Sequence, residues 1–122
     1  MKNALFPGTF DLLHPGHLFS LDWASKKCDH LTAAVNINPI TEPIESDLDR
    51  FVRLLSCKFV DDVLYYENLN ELETICMSGH YSILFLDKEM KLTQIESFTT
   101  EKIYVPQLSN HSLEKIKSKL RS

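Results

Sequence analysis

The chain lacks most of the features that would assign it to a specialised class. No apolar run approaches the roughly twenty residues needed to cross a bilayer. The N-terminus has one lysine followed by Asn3-Ala4-Leu5-Phe6, with no apolar leader segment. These absences predict a soluble, cytoplasmic protein with no membrane partner. Positive charge is not in excess either: 13 Lys and Arg stand against 17 Asp and Glu, for a net charge of −4. A nucleic-acid surface needs a basic face that displaces counterions, so nucleic acid is not an expected partner. Cysteine is sparse. Cys28, Cys57 and Cys76 are dispersed and odd in number, without a Cys-x-x-Cys or Cys-x-x-His neighbour, which argues against zinc and against a disulfide framework. Each lies in or beside an apolar stretch and is expected as a small reduced core residue. Low-complexity tracts, internal repeats and a linker to a second domain are also missing. With 43% hydrophobic and 25% charged residues, residues 1–122 are expected to form one folded domain.

Strand-like and helix-like segments alternate along that domain. Ala4-Leu5-Phe6 is a short buried strand stopping at Pro7-Gly8, and an amphipathic run from Pro15 to about Lys27 is a helix with proline in its first turn. Leu31 to Ile37 is apolar enough to be a strand buried on both faces. Asn38 to Ser46 is a loop, and Asp47 to Lys58 a helix capped by Ser46 or Asp47. Strands follow at Asp61–Tyr66, Tyr81–Leu86 and Lys102–Pro106, with a helix from Leu69 to about Met77 and a final one from Asn110 to Leu120. This alternation predicts right-handed crossovers and an α/β, Rossmann-like α/β/α sandwich: a five-stranded parallel sheet with the first strand central. Ligands of such sheets bind at the carboxyl ends of the strands, where strand order reverses.

The first strand–helix turn lies at that edge and carries the densest chemistry. Gly8-Thr9-Phe10-Asp11 is followed by His14-Pro15-Gly16-His17. Turn amides and a helix start concentrate positive potential and favour phosphate. His14 and His17, three residues apart, project from one face of the helix start. Gly16 between them lets a ligand approach the backbone closely. Imidazolium N–H groups suit charge developing on phosphoryl oxygens, and anions nearby would raise the histidine pKa. Asp11 is expected mainly to brace the turn by accepting backbone N–H bonds.

The same string resembles the GxFD…HxGH pattern of the cytidylyltransferase-like nucleotidyltransferases. In size and motif the chain is similar to the glycerol-3-phosphate cytidylyltransferases; phosphopantetheine and nicotinamide mononucleotide adenylyltransferases are broader relatives. The resemblance implies transfer of a nucleoside monophosphate, from CTP by preference or from ATP, to a phosphorylated small molecule with release of pyrophosphate. It implies Mg²⁺ carried mainly on the nucleotide phosphates and a homodimer. It places His14 and His17 on the triphosphate and the backbone of Gly8, Thr9 and Phe10 near phosphate and acceptor. Asp49-Arg50-Phe51-Val52-Arg53-Leu54-Leu55 resembles the family's ERxxxL helix, so Arg50 is a nucleotide-binding candidate, with a solvated helix face as the competing reading. Asn36, at the end of the second strand, resembles the family's polar residue beside the substrate, although asparagine is also an ordinary turn former. Ser112, with Asn110, begins the last helix where the family holds triphosphate with hydroxyls and helix-start amides.

Two departures stand against full activity. No lysine or arginine lies between Asn36 and Asp49, where the family places lysines, and the family arginine before Ser112 has no counterpart. Lys88, after the fourth strand, is the topologically nearest substitute cation. A nucleotide-binding module with reduced turnover, or an adenylyltransferase using ATP, are the competing expectations.

Overall fold

Capped helical runs and apolar strands alternate through the computed structural model of the chain, which describes residues 2–39, 42–87, 98 and 100–106. The elements in chain order are β1 (Asn3–Gly8), α1 (Pro15–Ser25), β2 (His30–Asn36), α2 (Asp47–Leu55), β3 (Asp62–Tyr66), α3 (Leu69–Cys76), β4 (Ile83–Leu86) and β5 (Glu101–Tyr104). All strand pairings are parallel, in the order β3-β2-β1-β4-β5, so the first strand is central as expected. The helices begin where side chains satisfy first-turn amides. Ser46 Oγ accepts the Asp49 N–H at 3.1 Å, and Asn68 Oδ1 accepts the Glu71 N–H at 2.8 Å. α2 ends earlier than Lys58 because Cys57 and Val60 donate to Leu54 and Cys57 carbonyls, turning the chain into β3. The expected helix from Asn110, the loop before it and both Lys88 and Ser112 lie outside the described residues.

Alternating strand residues feed two core layers. Phe6, Leu31, Val35 and Phe85 meet Leu21, Ala24 and Leu54, placing α1 and α2 on one face of the sheet. Leu5, Ala34, Leu84 and Leu86 meet Leu72, Cys76 and Phe98, placing α3 on the other. Leu31 to Val35 is buried on both faces, as its continuous apolar character requires. Burial of such a side chain contributes about 1.5–3 kcal/mol, so these layers hold the sheet rigid beneath its carboxyl edge.

Strand order reverses between β1 and β4. Their register covers Ala4↔Ile83 and Leu5↔Leu84, whereas β1 stays paired with β2 through Gly8↔Val35. Pro7, which has no N–H to offer a second neighbour, lies in the stretch paired with β2 alone. The sheet therefore opens between the carboxyl ends of β1 and β4, where the first strand–helix turn begins.

Candidate active site

The turn from Gly8 to His17 is built around rings. Phe10 has a left-handed backbone (φ +52°) and a buried side chain, edge-on to Phe6 at 5.7 Å and to His17 at 6.0 Å. A Cβ on Gly8 would come within 3.1 Å of that ring. A side chain on Gly8 would crowd Phe10 where it folds back over the end of β1. Beyond it, His14 caps α1: its Nδ1 accepts the Gly16 N–H at 3.0 Å, and the His17 Nδ1 faces the His14 N–H at 3.4 Å. The two imidazoles stack with centroids 3.9 Å apart. Each Nδ1 serves as an acceptor, so in the neutral rings the protons are assigned to Nε2, which leaves one N–H donor on each ring.

That cap bears on two expectations about this helix start. The Gly16 N–H is met by His14 Nδ1. A Cβ on Gly16 would lie 2.8 Å from His14 Cε1, so the glycine makes room for the imidazole, where close approach of a ligand was expected. The histidine charge also starts from the other side. Burial, followed by the neighbouring His14, pushes the His17 pKa below its ordinary value, while Asp87 and Asp11 oppose that shift. Without an anion in place, His17 is a neutral donor.

Phe6, Gly8, Thr9, Phe10, Asp11, His17, Ser20 and Asp87 line a cavity of about 150 Å³ at the β1–β4 opening. That is below the roughly 300–1,000 Å³ enclosing a drug-sized ligand, and matches a phosphate-sized portion of one. A more open hollow of about 620 Å³ is lined by residues 37–39, 42–47 and Arg50.

Asp11 braces the turn as expected. Its carboxylate accepts the Ile44 and Glu45 N–H groups, both at 2.9 Å, and these bonds hold its pKa below the ordinary value. Glu45, which sequence reasoning missed, answers from the other loop. Its Oε1 accepts the Leu12 N–H at 2.8 Å, and its Oε2 is bound by the Arg53 guanidinium. Leu12 is the second left-handed non-glycine residue of the turn (φ +48°). Arg50 is not on a solvated face: it is 1% exposed, and Nη1 donates to the Thr9 carbonyl at 2.9 Å and the Asn36 carbonyl at 2.8 Å. Asn36 is the turn former that its residue type allowed, its Oδ1 accepting the Asn38 N–H at 2.9 Å. Gly8, Thr9, Phe10 and His17 are therefore gathered at one cavity, with His14 stacked on its rim. Arg50 and Asn36 stand behind the turn. Ser20 and Asp87 complete the lining; one turn of helix beyond His17, Ser20 was legible in the spacing of α1.

A parallel sheet whose first turn carries stacked histidines at the strand-order reversal is the architecture of a nucleotide-handling α/β domain. The chain belongs to the cytidylyltransferase-like family, whose sequence model matches residues 5–106. It is 33% identical over 92 residues to a phosphopantetheine adenylyltransferase of Clostridium botulinum (strain Langeland), covering 75% of this chain and 51% of the relative. It is 42% identical over 57 residues to the phosphopantetheine adenylyltransferase of Alkaliphilus oremlandii, covering 47% of this chain and 36% of the relative. The chain thus spans about half or less of the length of these curated relatives. In fold it is similar to a lipopolysaccharide core biosynthesis protein from Thermoplasma volcanium, with a TM-score of 0.78 at 19% identity, covering 89% of this chain and 99% of that one. Pantothenate synthetase from Thermus thermophilus shares the fold more loosely, with a TM-score of 0.56 at 18% identity, covering 97% of this chain and 64% of the other. The all-parallel sheet and the family match agree with the Rossmann-like fold and the family read from the sequence. Among the described residues no helix is long and apolar enough to cross a membrane.

Proposed function

We propose that the protein is a nucleotidyltransferase that joins a nucleoside monophosphate to a phosphorylated small molecule. The observation that carries this reading is the pair of stacked imidazoles at a small cavity where the sheet opens, His17 lining it and His14 stacked beside His17. An acceptor phosphate oxygen would form a bond to the α-phosphorus while the bond to the β-phosphate oxygen breaks and pyrophosphate leaves. His17 and His14 would donate to the phosphoryl oxygens, and the turn would fix their alignment. The names of the curated relatives favour an adenylyl donor, so ATP is placed ahead of the CTP expected from motif and size. The open hollow beside Arg50 offers room for the acceptor. Magnesium would enter on the phosphates. Among the described residues no three His, Cys, Asp or Glu side chains gather to hold a metal, and the Asp11 carboxylate already accepts two backbone N–H bonds.

A binding module with little turnover is the second reading. It is favoured by the absence of lysine and arginine between Asn36 and Asp49, together with the commitment of the Arg50 Nη1 to two carbonyls. One experiment separates them. Thermal unfolding with ATP, CTP and their nucleosides, each with Mg²⁺, should show stabilisation by ATP, of about 2.7 kcal/mol at hundredfold excess over Kd. Pyrophosphate release with a panel of phosphorylated acceptors then reports turnover. His17→Ala should cost about a hundredfold or more in turnover and weaken ATP binding far more than adenosine binding. Binding without pyrophosphate release selects the module; no response to any nucleotide refutes both.

A further inference from the structure

Arg50 is the largest fully buried side chain among the described residues. A buried guanidinium must spend its N–H groups on acceptors, and here the acceptors are backbone carbonyls. Nη1 donates to Thr9 and Asn36, just past β1 and at the end of β2, and Nε donates to the Ser46 carbonyl at 3.4 Å. One planar group therefore ties together two strand ends and the cap of its own helix.

The bond to Thr9 has a geometric consequence. A trans peptide is planar, with its C=O and N–H on opposite sides. Arg50 draws the Thr9 carbonyl toward α2, so the N–H of the same peptide, belonging to Phe10, is directed away from α2. Among the described residues no acceptor meets that N–H. Phe10 holds a left-handed backbone that phenylalanine adopts only under constraint. The constraints are its ring, buried between Phe6 and His17, and the carbonyl anchored on Arg50. Thr9 and Phe10 line the same cavity as His17.

We infer that Arg50 is a positioning residue that never meets the nucleotide. It fixes the Thr9–Phe10 peptide so that the Phe10 N–H donates to a phosphoryl oxygen in the cavity beside His17. The buried cation also polarises the peptide it holds, strengthening that donor. The inference rests on the reading that phosphate binds at this turn. It gives a site whose neighbouring loop carries no cation a way to use one without contact.

Titration of ¹⁵N-labelled protein with inorganic tripolyphosphate tests the inference, with ATP and adenosine as companions. In the wild type the Phe10 amide should shift at saturation, while the Gly16 amide, covered by His14, should stay. Arg50→Lys keeps the charge and loses the fork that spans two carbonyls. In that variant tripolyphosphate and ATP affinity should fall at least tenfold and the Phe10 response should vanish, with adenosine affinity within twofold of wild type. In a folded Arg50→Lys variant, an equal fall in tripolyphosphate, ATP and adenosine affinity would overturn the inference. So would an Arg50→Lys variant binding tripolyphosphate as well as wild type, or a wild-type Phe10 amide that stays still while the His17 ring resonances move. If neither Phe10 nor His17 of the wild type responds to tripolyphosphate or ATP, the phosphate reading itself fails. Should Arg50→Lys not fold, Arg50→Gln, which keeps a planar N–H donor for one carbonyl, takes its place with the same expected and overturning results.

Discussion

His17 lines the cavity while its Nδ1 serves the helix cap, and its burial beside His14 makes it sensitive to pH. Its folded pKa lies below the ordinary value because burial and the adjacent His14 disfavour the charged ring. The unfolded chain takes up its proton near pH 6.5, so below that point the unfolded state binds more protons than the folded one. Stability from neutral His17 is then fully present above about pH 6.5 and declines as the pH falls through the depressed folded pKa. Urea midpoints should hold steady from pH 8 to 7 and fall below about 6.5, and His17→Gln should remove part of that fall. An unchanged profile in the variant would contradict the assignment. The histidines themselves were legible, since a three-residue spacing after a strand end leaves little choice of face. The fit of Gly16 against His14 was not: a glycine between two histidines looks the same whether it admits a ligand or an imidazole.

Between elements, the loop before α2 and the turn after β1 hold each other by reciprocal bonds. Asp11 accepts from the backbone of Ile44 and Glu45, and Glu45 accepts from the backbone of Leu12. Glu45 is only 8% exposed and shares its other oxygen with Arg53. Glu45→Gln should cost about 1.5–3 kcal/mol, the range for hydrogen bonds to charged groups, measured by chemical denaturation. Asp11→Asn should act on the same clasp, so the double variant should cost less than the sum of the two. Full additivity would mean that the two carboxylates work independently. Asp11 was legible as a brace because aspartate in a turn readily accepts nearby N–H groups. Its partners lie 33 and 34 residues further on, beyond the reach of local pattern. Glu45 lies in the span where the family places lysines, and its role depends on where the whole loop lands.

At the scale of the molecule, the layout followed from the alternation of strands and helices, since a parallel sheet buried on both faces leaves continuous apolar runs such as Leu31 to Val35. Pattern could not show which apolar residues stay outside. Ile44 is 80% and Leu48 62% exposed, and Val52 and Leu55 extend the same side of α2. The helix carries Asp47 and Asp49 in its first turn and Arg53 in its last. A second copy packed antiparallel about a two-fold axis near Val52 would cover the stripe and set each acidic end against a basic one. The homodimer implied by the family resemblance is therefore expected on this face. Sedimentation velocity should give a dimer for the wild type and a monomer for Val52→Glu, which would place two carboxylates together at the axis. A monomeric wild type, or a dimer that tolerates Val52→Glu, would exclude this face.

The central position of β1 has a consequence for synthesis. Its first neighbour, β2, follows within about one helical hairpin of chain, but Ser82, which reaches back to Asn3 at the start of the β4 pairing, is separated from it by 79 residues. At about 5–20 residues per second on a ribosome, the far edge of β1 waits roughly 4–16 seconds for its cover. During that interval an apolar strand with open backbone groups is exposed to other chains, and the opening between β1 and β4 does not yet exist. The histidine turn can cap its helix early, from local bonds alone, but it becomes a pocket only when the most distant strand pairing closes.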